Sequence, residues 1–330
     1  MYKYLLTAII IAIFAGCSAP KPETAPSWYT TLPKDNKNFY AVASAKNILL
    51  AEKKAMISLR ENLQHELDKE FNAKNHQLTK VNDYIFDKVL KMNEKISKTL
   101  IIKNIKIEES ENFYGTQLIQ ISMPKISIYN QIQQVSKKLL NSTKQKYNKV
   151  QEESIITDTT SALNKYIAIN SLISSYANIA TYTQLKKSSL SDYNPNSEFN
   201  FLNQLSKEYE KLQSEITFYV VSDANSLIYV NPIIQAINLN GLHNKRQTNT
   251  KYAMKLLISS KSVNSQEYSF NKSKTLVKLN TFNKEKEQIA FRQHTFVGKS
   301  RKSYKDAKMQ SREYLRTKIK RLGFFNFIGI

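Results

Sequence analysis

Few residues in this chain are spaced for chemistry. Ser122 stands three residues before Lys125, the separation at which a lysine amine one helical turn on can take a proton from a serine hydroxyl. That reaction needs the serine at the start of a helix. Here Pro124 intervenes and the residues before it alternate like a strand, so in a chain rich in Ser and Lys the match reads as chance. Asp223 ends an apolar run, where a sheet can present a ligand carboxylate. An Asp between strand and helix more often caps the helix by accepting backbone N–H groups, and that is the expectation here. His65, His76, His243 and His294 show no ligand spacing to one another or to paired carboxylates. The single cysteine, Cys17, supplies no thiolate set, so a structural zinc site is excluded and no metal site is expected. Glu108, Glu109 and Glu111 cluster in what reads as a solvated hairpin turn. Six glycines form neither a G-x-x-x-x-G-K nor a G-x-G-x-x-G loop, so a nucleotide cradle is absent and no cofactor is expected. No nucleophile, base and orienter come together in the sequence, and the chain is expected not to be an enzyme.

The chemistry that remains is a modification the chain would receive. Lys3 gives a positive start, and Leu5 to Ala15 is a short apolar run. It is too brief for a bilayer span but right for a secretory signal. It closes in Phe14-Ala15-Gly16-Cys17-Ser18, which resembles the lipobox of bacterial lipoproteins, with Phe14 where Leu is usual. The resemblance implies a signal peptide over 1–16, diacylation of the Cys17 thiol, cleavage before it and acylation of the new amino group. Ser18, where Asp would imply inner-membrane retention, implies passage to the outer membrane. The plain alternative is an ordinary thiol at the end of an uncleaved anchor. Residues 17–27, with Pro20, Pro22 and Pro26, read as an extended tether.

The elements beyond Cys17 predict an α+β fold: an N-terminal α+β unit, a central helical hairpin and a C-terminal α/β sheet domain. Residues 28–125 read as β-α-α-β-β. Trp28 opens the unit and Phe39 to Ala45 is its first strand. A helix from Ile48 to Phe71 carries Ala55, Leu59, Leu63, Leu67 and Phe71 on one face. A second stripe runs through Val81, Ile85, Val89, Met92 and Ile96. Thr99–Ile107 and Phe113–Met123 follow as strands joined by Glu109 to Asn112. Pro26-x-Trp28, the Tyr40 to Ala45 strand and Ala51, Ala55, Arg60 and Leu63 on the helix resemble the Lpp-twenty lipoproteins. That family implies an outer-membrane association and, for some members, a link to motility and flagellar assembly. Residues 126–214 read as a helical hairpin broken at Ser188–Ser197.

Residues 215–330 read as a basic β-α-β-β-β-α-β domain. Its strand, Asp-containing turn, helix and terminal Gly241 are similar to the α/β domains of curli-secretion and penicillin-binding-protein-activator lipoproteins. Between Lys245 and Arg321 there are 21 Lys or Arg against 5 Asp or Glu, which places most of the formal +22 charge in one segment. Such a surface attracts polyanions. In an exported protein these are lipopolysaccharide, peptidoglycan or an acidic envelope protein rather than nucleic acid. The candidate contact is a basic helix and its approach: Lys299, Arg301, Lys302, Lys305, Lys308, Arg312, Arg316, Lys318, Lys320 and Arg321. The bland account is solvated lysine from an AT-rich genome. The expected role is structural or assembly support at the outer membrane, facing the periplasm and attached by N-terminal acyl chains. The alternatives are a regulator of peptidoglycan synthesis acting by contact and, third, an envelope hydrolase with an unrecognised site.

Overall fold

The structure of the protein, a computed structural model, describes residues 24–77, 82–245 and 250–330, with the side chains of 73–77 excepted. The signal peptide, Cys17 and the tether through Glu23 lie outside the described residues, as does the side chain of His76. The class is α+β, with two sheets among the described residues. The chain divides into two compact units that interleave along the sequence.

The first unit takes the described residues up to Glu66 together with Ser97–Gln131 and Ser188–Ser191. Its three-stranded antiparallel sheet has the order β1-β3-β2, from β1 (Asn38–Ala45), β2 (Lys106–Phe113) and β3 (Thr116–Pro124). In β1 the period of two is strict: Phe39, Ala41, Ala43 and Ala45 point inward. A four-residue helix, α1 (Ser27–Thr30), precedes it, and Gln120 of β3 donates to the Trp28 carbonyl at 2.8 Å. Helix α2 (Ile48–Gln77) starts where Asn47 Oδ1 accepts from Leu50 N–H at 3.0 Å, an N-cap. Lys54 and Asn62 of α2 donate to β1 carbonyls at 3.1 and 3.2 Å. The expected stripe of α2 is buried in full: Ala55, Leu59 and Leu63, then Leu67 and Phe71 in the second unit.

The hairpin turn is displaced from its expected place. Glu109 to Asn112 lie within β2, and the chain reverses at Tyr114–Gly115, with φ of 49° and 77°. Two successive positive φ values define the turn that matches strand twist, and Asn112 Oδ1 accepts the Gly115 N–H at 3.0 Å. Glu108 sits at a bulge between Ile107 and Glu109. Its carboxylate accepts from Lys106 Nζ and from Ser122 Oγ, each at 2.6 Å. The ammonium first, then the hydroxyl, hold that carboxyl below the usual range.

The second unit takes Leu67–Ile96, Ile132–Lys187 and Asp192–Ile330. It draws on α2, α3 (Asp83–Thr99), α4 (Lys125–Glu153), α5 (Thr159–Ser189) and α6 (Asn196–Glu215). The stretch expected to be a two-helix hairpin thus holds three helices. The extra break falls at Ser154–Asp158, where Asp158 and Ser161 exchange bonds: Ser161 N–H to Asp158 Oδ1 at 2.7 Å and Asp158 N–H to Ser161 Oγ at 2.9 Å. Such reciprocal capping starts a new helix.

The five-stranded sheet follows in the order β5-β4-β6-β7-β8. Strand β4 (Ile216–Ser222) leads through a 3₁₀ turn (Ala224–Ser226) to α7 (Leu227–Leu239) and β5 (His243–Asn244). It lies parallel to β5 and β6, whereas β6 (Tyr252–Glu267), β7 (Phe270–Phe282) and β8 (Gln288–Ser300) form an antiparallel meander. These strands run well past their expected ends, because their distal halves are polar on both faces and lack the apolar alternation. Helices α8 (Tyr304–Leu322) and α9 (Phe324–Ile328) close the chain. Phe324–Ile330 was expected to be a strand. It is helical because Phe324, Phe327 and Ile328 turn inward at helical spacing between Gly323 and Gly329, whose φ values are 79° and 96°.

One hydrophobic core runs through this unit, with Tyr166, Tyr209, Tyr229, Phe218 and Phe327 among its largest buried side chains. Tyr166 donates to the Asn240 carbonyl at 2.6 Å, and its oxygen lies 3.2 Å from that of Tyr209. Burial pushes both phenols far above the usual range.

Candidate polyanion-binding surface

Helix α8 begins at Ser303, whose hydroxyl accepts the Asp306 N–H at 3.1 Å and donates to the Asp306 carboxylate at 2.7 Å. Its buried face is Ala307, Ser311, Leu315 and Ile319, a single i, i+4 row. Tyr304, Tyr314 and Leu322, expected on that face, are 38%, 45% and 36% exposed instead. The row rests on β7 and β8, and Ser311 shares a 2.6 Å hydrogen bond with Tyr229 of α7. The cations therefore flank a narrow buried seam, as the amphipathic pattern predicts.

Their partners divide them. Lys299 pairs with Glu267 at 3.4 Å, and Arg301 lies over the Phe270 ring at 5.0 Å. Lys308 donates to the Asn225 carbonyl at 2.9 Å. Arg312 and Arg316 share Glu313 at 3.0 and 3.1 Å, and these two hold its carboxyl below the usual range. Lys318 stands 5.6 Å from the Phe296 ring centroid. Lys302, Lys305, Lys320 and Arg321 are exposed and have no acidic partner within ion-pair distance among the described residues. Six of the ten proposed contact cations thus have work inside the fold, and four reach water.

A second cationic surface lies on the opposite face of the same sheet. In β7, Ser273, Thr275, Val277, Leu279 and Thr281 point inward. Lys272, Lys274, Leu276, Lys278, Asn280 and Phe282 therefore line the other face. Register places Lys278 opposite Ser259, Lys274 opposite Val263 and Phe282 opposite Lys255, so Lys255 and Lys261 of β6 join that face. Tyr219 and Val221 of β4 complete it beside Lys255 and Leu257. Lys255, Lys261, Lys274 and Lys278 are exposed. Among the described residues of these strands the acid on this face is Glu267, at the hairpin end, where Lys272 at 3.0 Å and Lys299 already hold it; in the β7–β8 turn Glu287 accepts from Asn283 at 2.8 Å. These lysines escaped the sequence reading, although their period-two spacing at Lys272, Lys274 and Lys278 was a usable signal.

Other singled-out residues serve the structure. Ser122 donates a hydrogen bond to Glu108, while Lys125 lies 3.6 Å from Glu66 and over the Phe39 ring. Asp223 occupies the cap position of the 3₁₀ turn, but its side chain makes no cap bond and is exposed. The expected carboxylate cap is thus corrected: only its backbone carbonyl serves, accepting Ser226 N–H at 3.1 Å. His65 and His243 are exposed. His294 is buried, stacked on Phe327 at 4.3 Å, with Nε2 2.8 Å from the Phe327 carbonyl. A carbonyl only accepts, so Nε2 carries the proton. No group of three metal-ligating side chains occurs among the described residues, and no described helix is long and apolar enough to cross a membrane.

Burial first, then Lys318 and Arg292, press the His294 pKa below 6.5, against the carbonyl hydrogen bond. The folded state favours the neutral ring, so its contribution is intact above the unfolded pKa and is lost as pH falls through the lower folded value. Urea midpoints taken from about pH 7 to about pH 5 should fall in the wild type and change less in His294→Gln.

The fold and its surfaces define an α+β protein with a mixed, lysine-faced C-terminal sheet. No protein-family model matches the chain, and no curated protein sequence does. Among solved structures it is similar to the crystal structure of the secreted protein HP1454 from the human pathogen Helicobacter pylori. Identity is 10%, the match covers 87% of this chain and 97% of that one, and the TM-score is 0.30. A superposition that loose does not establish a common fold.

Proposed function

We propose that this chain is a non-enzymatic lipoprotein of the outer membrane, attached through acylated Cys17 and facing the periplasm, where it supports assembly of an envelope structure. The observation that carries the reading is the short apolar run from Leu5 ending in Phe14-Ala15-Gly16-Cys17-Ser18, with no other cysteine in the chain. Several acyl chains on one cysteine anchor stably where a single chain would hold only marginally. The excess of cations between Lys245 and Arg321 then works beside an anionic surface. The Lpp-twenty resemblance of the first third points to motility and flagellar assembly as the setting.

A second reading, a contact regulator of peptidoglycan synthesis, is favoured by one feature. Strand β4, the Asp223 turn, α7 and Gly241 at φ 79° follow the order that resembles the activator lipoproteins. Membrane fractionation tests the leading reading: the wild type should sediment with outer membrane, whereas Cys17→Ala, unprocessed and still carrying the apolar run from Leu5, should not reach it. Equal distribution of the two would contradict it.

A further inference from the structure

We infer that the lysine face of the C-terminal sheet, not the outer side of α8, binds an acidic glycan strand lying along the β6–β7 hairpin. The inference deepens the reading that this unit meets envelope polyanions, and it names the surface and the ligand chemistry.

Three observations converge. Projected onto β6 by register, the exposed lysines fall at positions 255, 259 (Lys278), 261 and 263 (Lys274). At 3.3–3.4 Å per residue this is a track of roughly 27 Å, with cations roughly 7 or 13 Å apart. None of the four has an acidic partner among the described residues, so the face carries uncompensated charge. An anionic partner is the complement that such a face selects.

Two recesses also open on the track. One, of about 430 Å³, is lined by Lys255, Lys284 and Lys286 together with Tyr219, Leu257 and Phe282. The other, of about 190 Å³, is lined by Lys261, Lys278, Ser259, Ser260 and Leu276. A flat bilayer surface leaves such recesses unfilled, whereas a chain with bulky repeating units enters them.

Finally, the lining pairs ring and ammonium. Tyr219 stands directly across from Lys255 in the β4–β6 register, and Phe282 across from it in β6–β7. An aromatic face accepts the C–H face of a sugar ring, and the neighbouring ammonium takes its acidic substituent. The larger recess falls within the size range of small-ligand sites, room for a sugar unit. Carboxylate and phosphate or sulfate substituents share this chemistry.

The test uses the mature chain, residues 17–330 carrying Cys17→Ala, so that neither acyl chains nor the apolar signal bring it onto lipid. The probes are an oligogalacturonate for carboxylate, heparin for sulfate, and vesicles containing phosphatidylglycerol. Binding is measured across a salt series for this chain, for Lys261→Gln/Lys278→Gln and for Lys305→Gln/Lys320→Gln. We expect glycan binding whose log–log salt slope drops by about two in the sheet variant, about one per lysine, and is unchanged in the α8 variant. Preference for oligogalacturonate or heparin then identifies the acidic substituent. Loss confined to the α8 variant would overturn the inference and leave the envelope-polyanion reading standing. Tighter binding to vesicles than to either glycan would also overturn it. Absence of salt-dependent binding to all three probes would overturn both.

Discussion

Replacing Gly241 with Ala should cost the C-terminal unit about 3–5 kcal/mol, combining a left-handed backbone penalty, overpacking and a damaged buried hydrogen bond. Gly241 has φ 79°, and an added Cβ would lie 1.9 Å from the Tyr209 hydroxyl oxygen and 3.0 Å from that of Tyr166. Neither ring has room to yield. Tyr209 is stacked on Tyr84 at 5.8 Å and tilted against Tyr166 at 5.6 Å, and both Tyr166 and Tyr209 are fully buried. The carbonyl of Gly241 also accepts from Gln213, which in turn accepts from Asn82. A methyl group here would push on the turn that joins α7 to β5 and on the helical core at once. Thermal or urea unfolding of the full chain should show a large loss of stability in Gly241→Ala. A wild-type midpoint would mean that the tyrosine cluster is looser than its geometry.

Gly298→Ala should be nearly as damaging for a different reason. The Cβ of residue 298 would meet the Ala307 carbonyl oxygen at 1.8 Å, its carbon at 2.8 Å and the Ser311 nitrogen at 3.2 Å. All three are backbone atoms of α8, so no side-chain rotation relieves the clash. The helix must lift from β8, which would loosen the buried row of Ala307, Ser311, Leu315 and Ile319. Overpacking against backbone costs about 3 kcal/mol or more, which for a unit of this size lowers Tm by roughly 6–12 °C. Near-UV circular dichroism around the Phe296, Phe327 and Tyr229 environment should change alongside. An unchanged Tm would contradict the close seating of α8 on the sheet.

What was legible in the sequence follows from where periodicity is enforced by a one-sided core. Ala55 to Phe71 announced their helix because every fourth residue is buried, and β1 announced itself through strict alternation. The β2–β3 turn was misplaced because β2 is an edge strand exposed on both faces, so its acids resembled a turn while a single Gly marked the real one. The break at Ser154–Asp158 depends on a local capping exchange at Asp158 and Ser161, which leaves no mark on hydrophobic periodicity. Phe324 to Ile330 is an apolar run too short for composition to separate strand from helix, and the two flanking glycines decided it. The basic helix was placed correctly, but the roles of its cations were not legible. Lys308 and Arg316 find partners more than eighty residues away. The lysine face depended on knowing which alternate set of β7 residues the core claims.

The proposed anchor at Cys17 is tested by metabolic labelling. Cells growing with a labelled fatty acid should incorporate label into the wild-type protein and none into Cys17→Ala, with the wild type also shortened by loss of residues 1–16. Equal label in both proteins would contradict the lipid anchor and with it the proposed location.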